Sequence, residues 1–284
     1  MNQVFNFQRF ALLVSKHWVD NKKRYSLSII AFIGLLFLWF VYQMLFEEKR
    51  YHNFGADFQV RTYFISLLLA GSIYASQFFS ELGSRSRGIN YLLMPASVLE
   101  KLLCGLLFGI VLYFVVFTLS FYFVNTTMNF LANIFNANNF ESLGLNYTPS
   151  KVINVFVRDH DPLNEASLFI RAFLVIQSAF LLGTVYFRRY SFLKTAIALV
   201  LIYFFFLSGG AYFSEHILSG RFSVDMQVYH LYTGGIDEIP LPPGGANEVR
   251  LPVWHSTMYL SFFRYTVPPI LWCATYFSLK EKEI

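Results

Sequence analysis

The sequence has little charge: of its 284 residues only 14% are Asp, Glu, Lys or Arg, whereas 56% are hydrophobic and 20% are aromatic. A soluble domain typically carries about 25% charged residues. The shortage of charge excludes a chain that meets water on all sides, because 34 Phe and 18 Tyr cannot all be buried in one soluble core of this length. A membrane-embedded chain is the class that remains.

The sequence is also poor in cysteine and in catalytic motifs. Cys104 and Cys273 are its only cysteines, and both fall in strongly apolar stretches, so a disulfide framework in outer loops is excluded. No phosphate loop ending in Lys and Ser or Thr, no nucleophile elbow and no metal-ligand spacing of His or Cys occurs. We therefore expect no catalytic residue, no metal site and no ATP hydrolysis in this chain itself.

Long apolar windows are what the sequence has in abundance. A bilayer-spanning helix needs roughly 20 predominantly apolar residues, whereas the strands of a membrane barrel would alternate in polarity. The windows show no alternation and predict an all-α integral membrane fold of six transmembrane helices. They comprise about residues 27–46, 62–80, 102–124, 166–187, 192–213 and 257–279.

The basic residues predict the orientation of these helices, because cytoplasmic loops retain Lys and Arg. The N-terminal segment, the second and fourth loops and the tail hold 13 basic and 5 acidic residues, a net charge of +8. The first, third and fifth loops hold 7 basic and 12 acidic residues, a net charge of −5. We expect both termini in the cytoplasm. Arg171 and Arg264, which fall inside windows, supply the remaining +2, so the overall charge of +5 is explained without a nucleic-acid partner.

Residues 1–26 precede the first window and predict a cytoplasmic helix in the plane of the membrane interface. Apolar residues recur on one face at helical spacing, with basic residues opposite, as in helices that lie among anionic lipid headgroups. A membrane anchor and a direct contact with a partner both fit this pattern. The apolar face comprises Phe7, Phe10, Ala11, Val14 and Trp18.

Residues 27–284 form the predicted transmembrane domain, with long outer loops at 125–165 and 214–256. Two arginines, Arg171 and Arg264, fall inside windows near their outer ends. Arginine within a membrane is costly and tends to face protein, a cavity or the headgroups. Structural pairing or snorkelling is one reading. A transport path or a contact with an anionic headgroup is the other.

The polar segment 81–101, here called the connecting segment, joins the second window to the third. Ile89, Leu92 and Leu93 share one face of a short helix, which Pro95 ends because it disfavours helical geometry in the preceding residue. Ser97 and Glu100 have the spacing of a capping box that starts a new helix. The pattern predicts helix, break and capped helix, which a simple surface connector would also explain.

The run Arg87-Gly88-x-x-x-Leu92-Leu93-x-Pro95-x-Ser97, with a Lys at the start of the third window, resembles the intracellular loop of type-2 ATP-binding-cassette (ABC) exporter permeases. That family commonly has Thr and Arg where this chain has Ile89 and Val98. In the family this loop is the coupling helix that docks on the ATPase. The residues to which the resemblance assigns this role are Arg85, Arg87, Gly88, Ile89, Leu92, Leu93, Pro95, Ser97, Glu100 and Lys101.

The resemblance implies a permease subunit rather than an enzyme. It implies a separate cytoplasmic ATPase that holds ATP and Mg²⁺, a second permease copy in a homo- or heterodimer, and a place in the bacterial plasma (inner) membrane. The cargo is unidentified; an aromatic interior suits lipidic or amphipathic molecules. Two other functions fit the sequence: a membrane-embedded lipid-modifying enzyme, and a non-transporting scaffold for an outer-face assembly.

Overall fold

The computed structural model of the chain is helical through most of the part that it describes, and that part contains no strand. It describes residues 5–46, 54–83, 88–89, 91, 93–142, 149–156, 165–187, 189–216 and 253–283. The α-helices in these ranges are α1 (Phe7–Phe46), α2 (Ala56–Phe78), α3 (Val98–Leu106), α4 (Tyr113–Ser142), α5 (Glu165–Tyr186), α6 (Ser191–His216) and α7 (Val253–Glu283).

Two irregular helical pieces complete the fold. A 3₁₀ turn, Ser80–Gly83, follows α2, and a π-helical segment, Leu107–Leu112, joins α3 to α4 without interruption. We call α3, the π-helical segment and α4 together the central rod. A π-helix has i→i+5 backbone hydrogen bonds in place of the i→i+4 bonds of an α-helix. Within this segment the carbonyl of Gly109 accepts a hydrogen bond from the buried side chain of Gln177 in α5.

Three helices are long and apolar enough to cross a membrane. They are α1, the part of the central rod at Val98–Ala137, and the α5 stretch Ala166–Tyr186. Among the described residues there is also a shorter apolar helix, Ser191–Phe205. All six predicted windows lie within helices or run at most two residues past their ends. The structure thus supports an all-helical chain with at least three membrane-crossing candidates.

The structure differs from the sequence prediction at the predicted outer loop 125–165. Helix α4 continues to Ser142, so residues 125–142 are helical where the sequence predicts a loop. The cause is tertiary: Asn125 and Asn129 lower the hydropathy of this stretch, but both are buried and their amide groups are hydrogen-bonded within the protein. Of the second outer loop, residues 217–252 lie outside the described residues.

Helix α5 lies at the centre of the packing. It contacts α2, α6, α7 and the π-helical segment. Helices α5 and α6 approach each other closely at Gly183 of α5, where an added Cβ would stand 1.9 Å from the hydroxyl oxygen of Thr195 in α6. Any larger residue at this position would push the two helices apart. Small residues that allow such close approach are typical of helix pairs in membranes.

The first part of α1 is inclined to the central rod. Asn6, just before α1, contacts Glu100, whereas the ring of Tyr25 stacks on that of Phe108. Helix rise is 1.5 Å per residue, so α1 advances about 28 Å between these contacts while the rod advances only about 12 Å. The two helices therefore cannot run side by side in this region.

The second part of α1 runs alongside the rod. Phe32 contacts Phe117 and Phe40 contacts Phe121. From the Tyr25–Phe108 contact to the Phe40–Phe121 contact, α1 advances by 15 residues (25 to 40) and the rod by 13 (108 to 121), so the two helices advance at similar rates there. The helix is continuous from Phe7 to Phe46, and its two parts contact different stretches of the rod.

Candidate functional site

The connecting segment has the predicted order of helix, break and capped helix. The amide of Leu93 donates to the carbonyl of Ile89 at 2.9 Å, which closes one helical turn. The chain bends at residues 94–96, around Pro95, and α3 starts directly after Ser97. The proline break prediction is confirmed, because the residue before a proline is pushed out of helical geometry.

The predicted capping box at the start of α3 is confirmed as well. The Glu100 amide donates to the Ser97 hydroxyl oxygen at 3.2 Å, and the Ser97 amide donates to the Glu100 carboxylate at 2.9 Å. Each bond satisfies a backbone donor that the first turn of a helix leaves without a partner. The angle at which the connecting segment enters α3 is thereby held by two reciprocal hydrogen bonds.

Glu100 does more than complete this box. Its carboxylate also accepts hydrogen bonds from the Asn6 amide at 2.8 Å and from the Arg9 guanidinium at 3.0 Å. The carboxylate is fully buried, whereas the Arg9 side chain is 40% exposed. We call Glu100 with Ser97, Asn6 and Arg9 the Glu100 tie, since it joins the start of α1 to the start of α3.

The electrostatics of the tie favour an ionised carboxylate. Glu100 precedes the predicted third span. Burial alone raises the pKa of its carboxyl, but the hydrogen bonds from the Ser97 and Asn6 amides and the charge of Arg9 outweigh burial and hold the pKa below its ordinary value. Helix N-termini also carry partial positive charge that favours an anion. The site thus keeps a buried negative charge stable through several donors at once.

An apolar cluster lies beside the tie and joins the same elements. Leu13 of α1 is buried against Cys104 of α3 and Phe108 of the π-helical segment, and Met94 and Ala96 of the connecting segment pack on this cluster. The buried stripe of α1 is therefore rotated relative to the predicted apolar face: Phe7 and Trp18 stay exposed while Leu13 is covered. Contact with the protein, which hydropathy alone does not distinguish from contact with lipid, decides this orientation.

The outer side of the connecting segment presents apolar residues. Ile89 is 50% exposed, Leu93 is 76% exposed, and Pro95 is exposed too. Gly88, in contrast, is buried. A contiguous patch of exposed apolar side chains marks a site of contact with a protein or a membrane. Of the described residues to which the resemblance assigns the coupling role, Ile89, Leu93 and Pro95 are the exposed ones.

Lys101 has an internal position. It is 1% exposed, and its ammonium group lies 5.7 Å from the centre of the Tyr91 ring, within the range of a cation–π interaction. Lys101 and Glu100 are thus both buried and cannot themselves touch a docked partner. Their contacts instead attach α3 to the connecting segment and to α1.

Several predicted residues are described only in part or not at all. Arg85, Arg87 and Leu92 lie outside the described residues. Arg171 donates to the carbonyl and hydroxyl oxygens of Ser167, one turn earlier in α5. That geometry fits a structural role for Arg171. Arg264 lies in α7, and its side chain is outside the described residues.

A second buried polar site, which was not predicted from the sequence, lies toward the C-terminal end of the central rod. The side chain of Gln59 in α2 donates to the carbonyls of Phe54 and Lys151 at 2.9 and 3.0 Å. Its oxygen accepts from the Asn125 side chain at 2.8 Å and from the Ile153 amide at 3.2 Å. We call Gln59 with these four partners the Gln59 tie.

The Gln59 tie extends along α4 to the next part of the chain. Asn129 donates to Asn125, and the Ser150 hydroxyl donates to the side-chain oxygens of Asn129 and Asn133. The Asn133 side chain also bonds to the backbone of Ser150 in both directions, at 3.0 Å each. Residues 149–156 are thereby fastened to the rod. The spacing of Asn125, Asn129 and Asn133 at intervals of four was the available signal, since it places them on one helix face.

Comparison with known proteins finds no match: no protein-family model, no curated protein and no solved structure corresponds to the chain. Among the described residues, no group of three or more His, Cys, Asp or Glu side chains could hold a metal ion. The class defined by the fold and the site is a helical protein with three described helices that are long and apolar enough to cross a membrane, and with a structured connecting segment.

Proposed function

We propose that the chain is the permease subunit of an ABC-type exporter, and that its connecting segment transmits the motion of a separate cytoplasmic ATPase. In this proposal six helices span the bacterial plasma membrane, both termini are cytoplasmic, and two permease copies form the transport unit. ATP and Mg²⁺ bind to the partner ATPase. The cargo is a lipidic or amphipathic molecule.

The observation that carries the proposal is the exposure of Ile89 and Leu93 directly beside the capped start of α3. A docking helix must be accessible on its outer side and rigidly attached on its inner side. The connecting segment combines these properties, because Ile89 and Leu93 are exposed while the neighbouring Glu100 is fully buried. The basic cytoplasmic loops and the resemblance of residues 87–97 to a coupling helix support the same function.

Coupling of this kind requires two discrete states that the ATPase biases differently. Closure of two ATPase subunits would press on Ile89 and Leu93. The break at Pro95 and the capping box between Ser97 and Glu100 keep the segment at a constant angle to α3. Displacement would therefore pass into the central rod, where the π-helical segment begins nine residues, about two and a half turns, after the start of α3.

The test is co-purification of the full chain with its ATPase from the native host. Replacing Leu92→Asp and Leu93→Asp together should abolish recovery of the ATPase, because two carboxylates would have to be desolvated in an apolar interface. Tyr190→Asp is the matched control, since Tyr190 is 79% exposed in the short connection between α5 and α6. Unchanged ATPase recovery and turnover in the double variant would contradict the proposal and favour a scaffold.

A further inference from the structure

We propose that Glu100 is a positioning residue that makes the first half of α1 and the connecting segment move as one body. For its consequence in transport the idea rests on the proposed function. The geometric claim stands independently of any ATPase. A partner that presses on Ile89 or Leu93 would then move α1 as well as the central rod.

The first argument is that one carboxylate serves two helix N-termini. The Asn6 side chain accepts from the Gln8 amide at 2.9 Å, so Asn6 is the N-cap of α1, and its own amide donates to Glu100. Ser97 is the N-cap of α3, and its amide also donates to Glu100. Two helix dipoles thus direct their positive ends at the same buried anion. If α1 moved away alone, the Asn6 amide would lose its acceptor and the carboxylate would lose two donors.

The second argument is that apolar contacts bridge the same three elements. Met94 and Ala96, on either side of Pro95, pack on the cluster around Leu13 of α1 and Phe108 of the rod. The connecting segment is therefore held to α1 directly as well as through Glu100. Hydrogen bonds set the register of this junction, since apolar contacts alone are not directional.

The third argument is the inclination of α1. Its first half is inclined to the rod and meets it at the Glu100 tie and at the aromatic contacts of His17 and Tyr25 with Phe108. A helix that is attached at two separated points to the start of the rod must follow when that start rotates or shifts. The first half of α1 therefore has the geometry of a lever arm on the connecting segment.

The experiment measures the distance between α1 and the connecting segment in the full-length protein. Spin labels are placed at the exposed positions Gln8 and Leu93 in a Cys104→Ala, Cys273→Ser background. With Glu100 present, pulsed electron paramagnetic resonance should give one narrow distance distribution. Glu100→Ala should add a second population at longer distances. Glu100→Gln should give the same change to a smaller extent, and it replaces the alanine variant if that variant does not fold.

Gln59→Leu is the decisive control, because it removes a buried polar residue toward the other end of the rod. General loosening of the fold would broaden the distances in both variants, whereas a positioning role for Glu100 leaves those of Gln59→Leu narrow. A distribution unaffected by loss of Glu100, or broadened equally in both variants, would overturn the inference. Recovery of the ATPase tests the proposed function separately. If the distances change as expected but no ATPase is recovered, the positioning role of Glu100 is supported and only the transport function is contradicted.

Discussion

The Glu100 tie and the Gln59 tie fasten two regions of the same central rod by different chemistry. Both central side chains are fully buried. Glu100 is an anion that only accepts hydrogen bonds, and its donors are two helix N-caps and Arg9. Gln59 is neutral and both donates and accepts, because its partners include two carbonyls, an amide N–H and the Asn125 side chain.

The difference shows which buried group suits which task. Helix starts expose only N–H donors, so an acceptor with negative charge satisfies them and also interacts favourably with their dipoles. An irregular segment such as residues 149–156 exposes carbonyls and amides together, and a side-chain amide serves both. If the number of hydrogen-bond partners determines the contribution to stability, replacing Gln59 should lower the free energy of unfolding more than replacing Glu100. If the charge determines it, replacing Glu100 should have the larger effect.

Replacing Gln59→Leu should have the largest effect. Leucine has a similar volume but leaves four polar partners without Gln59. Two of these partners, the Phe54 carbonyl and the Asn125 side-chain amide, are buried, and each buried unsatisfied group costs about 1–3 kcal/mol. With partial relaxation we expect a loss of about 4 kcal/mol in the free energy of unfolding, measured by denaturant titration in detergent. Gln8→Leu, at an exposed position in α1, is the control and should change stability little. Equal effects in both variants would disprove the importance of the tie.

Replacing Glu100→Ala should have the next largest effect. It removes the acceptor for the Asn6 and Ser97 amides, while Arg9 can turn toward water because it is partly exposed. We expect a loss of about 3 kcal/mol, at the lower end of the cost of breaking a buried ion pair. Glu281→Ala on exposed α7 surface is the control. A greater loss than that of Gln59→Leu would show that charge, and not partner number, determines the ranking.

Low pH should weaken the Glu100 tie but not the Gln59 tie, because only Glu100 has a side chain that titrates. The folded-state pKa of Glu100 is below its ordinary value of 4.5. Its contribution to stability is therefore fully present above the ordinary pKa and is lost as the pH falls through the lower folded-state pKa. The difference in Tm between the native chain and Glu100→Gln should shrink below about pH 4, whereas the difference for Gln59→Leu should stay constant. A constant Glu100→Gln difference down to strongly acidic pH would refute this view.

Replacing Arg9→Gln should have the smallest effect. Arg9 is 40% exposed, so water screens its interaction with Glu100 and the amide donors remain in place. We expect a loss of about 0.5–1 kcal/mol, as for partly exposed ion pairs. Lys16→Gln, an equal change of charge at an exposed position of α1, serves as reference. A loss several times larger would mean that the guanidinium, rather than the two N-cap amides, holds the tie together.

Local signals predicted one of these ties in part. Ser97 and Glu100 stand three residues apart after a proline, so the capping box follows from spacing alone. Asn6 has the residue type of an N-cap before an apolar run, yet nothing in the sequence places it beside Glu100, which is 94 residues distant. The Gln59 tie had weaker signals, because its partners come from separate segments and its asparagines lower the hydropathy of a stretch that is nevertheless helical.

The sequence by itself determined the class of the molecule: scarce charge and long apolar windows require an all-helical chain that meets lipid, and Pro95 with the capping box determines the shape of the connecting segment. Only the tertiary structure decided which face of α1 is covered, that Glu100 joins two helix starts, and that α4 continues to Ser142. The physical reason is that solvent preference and helix capping act within a few residues of the chain. The partners of a buried polar group, in contrast, are selected by packing between segments far apart in sequence.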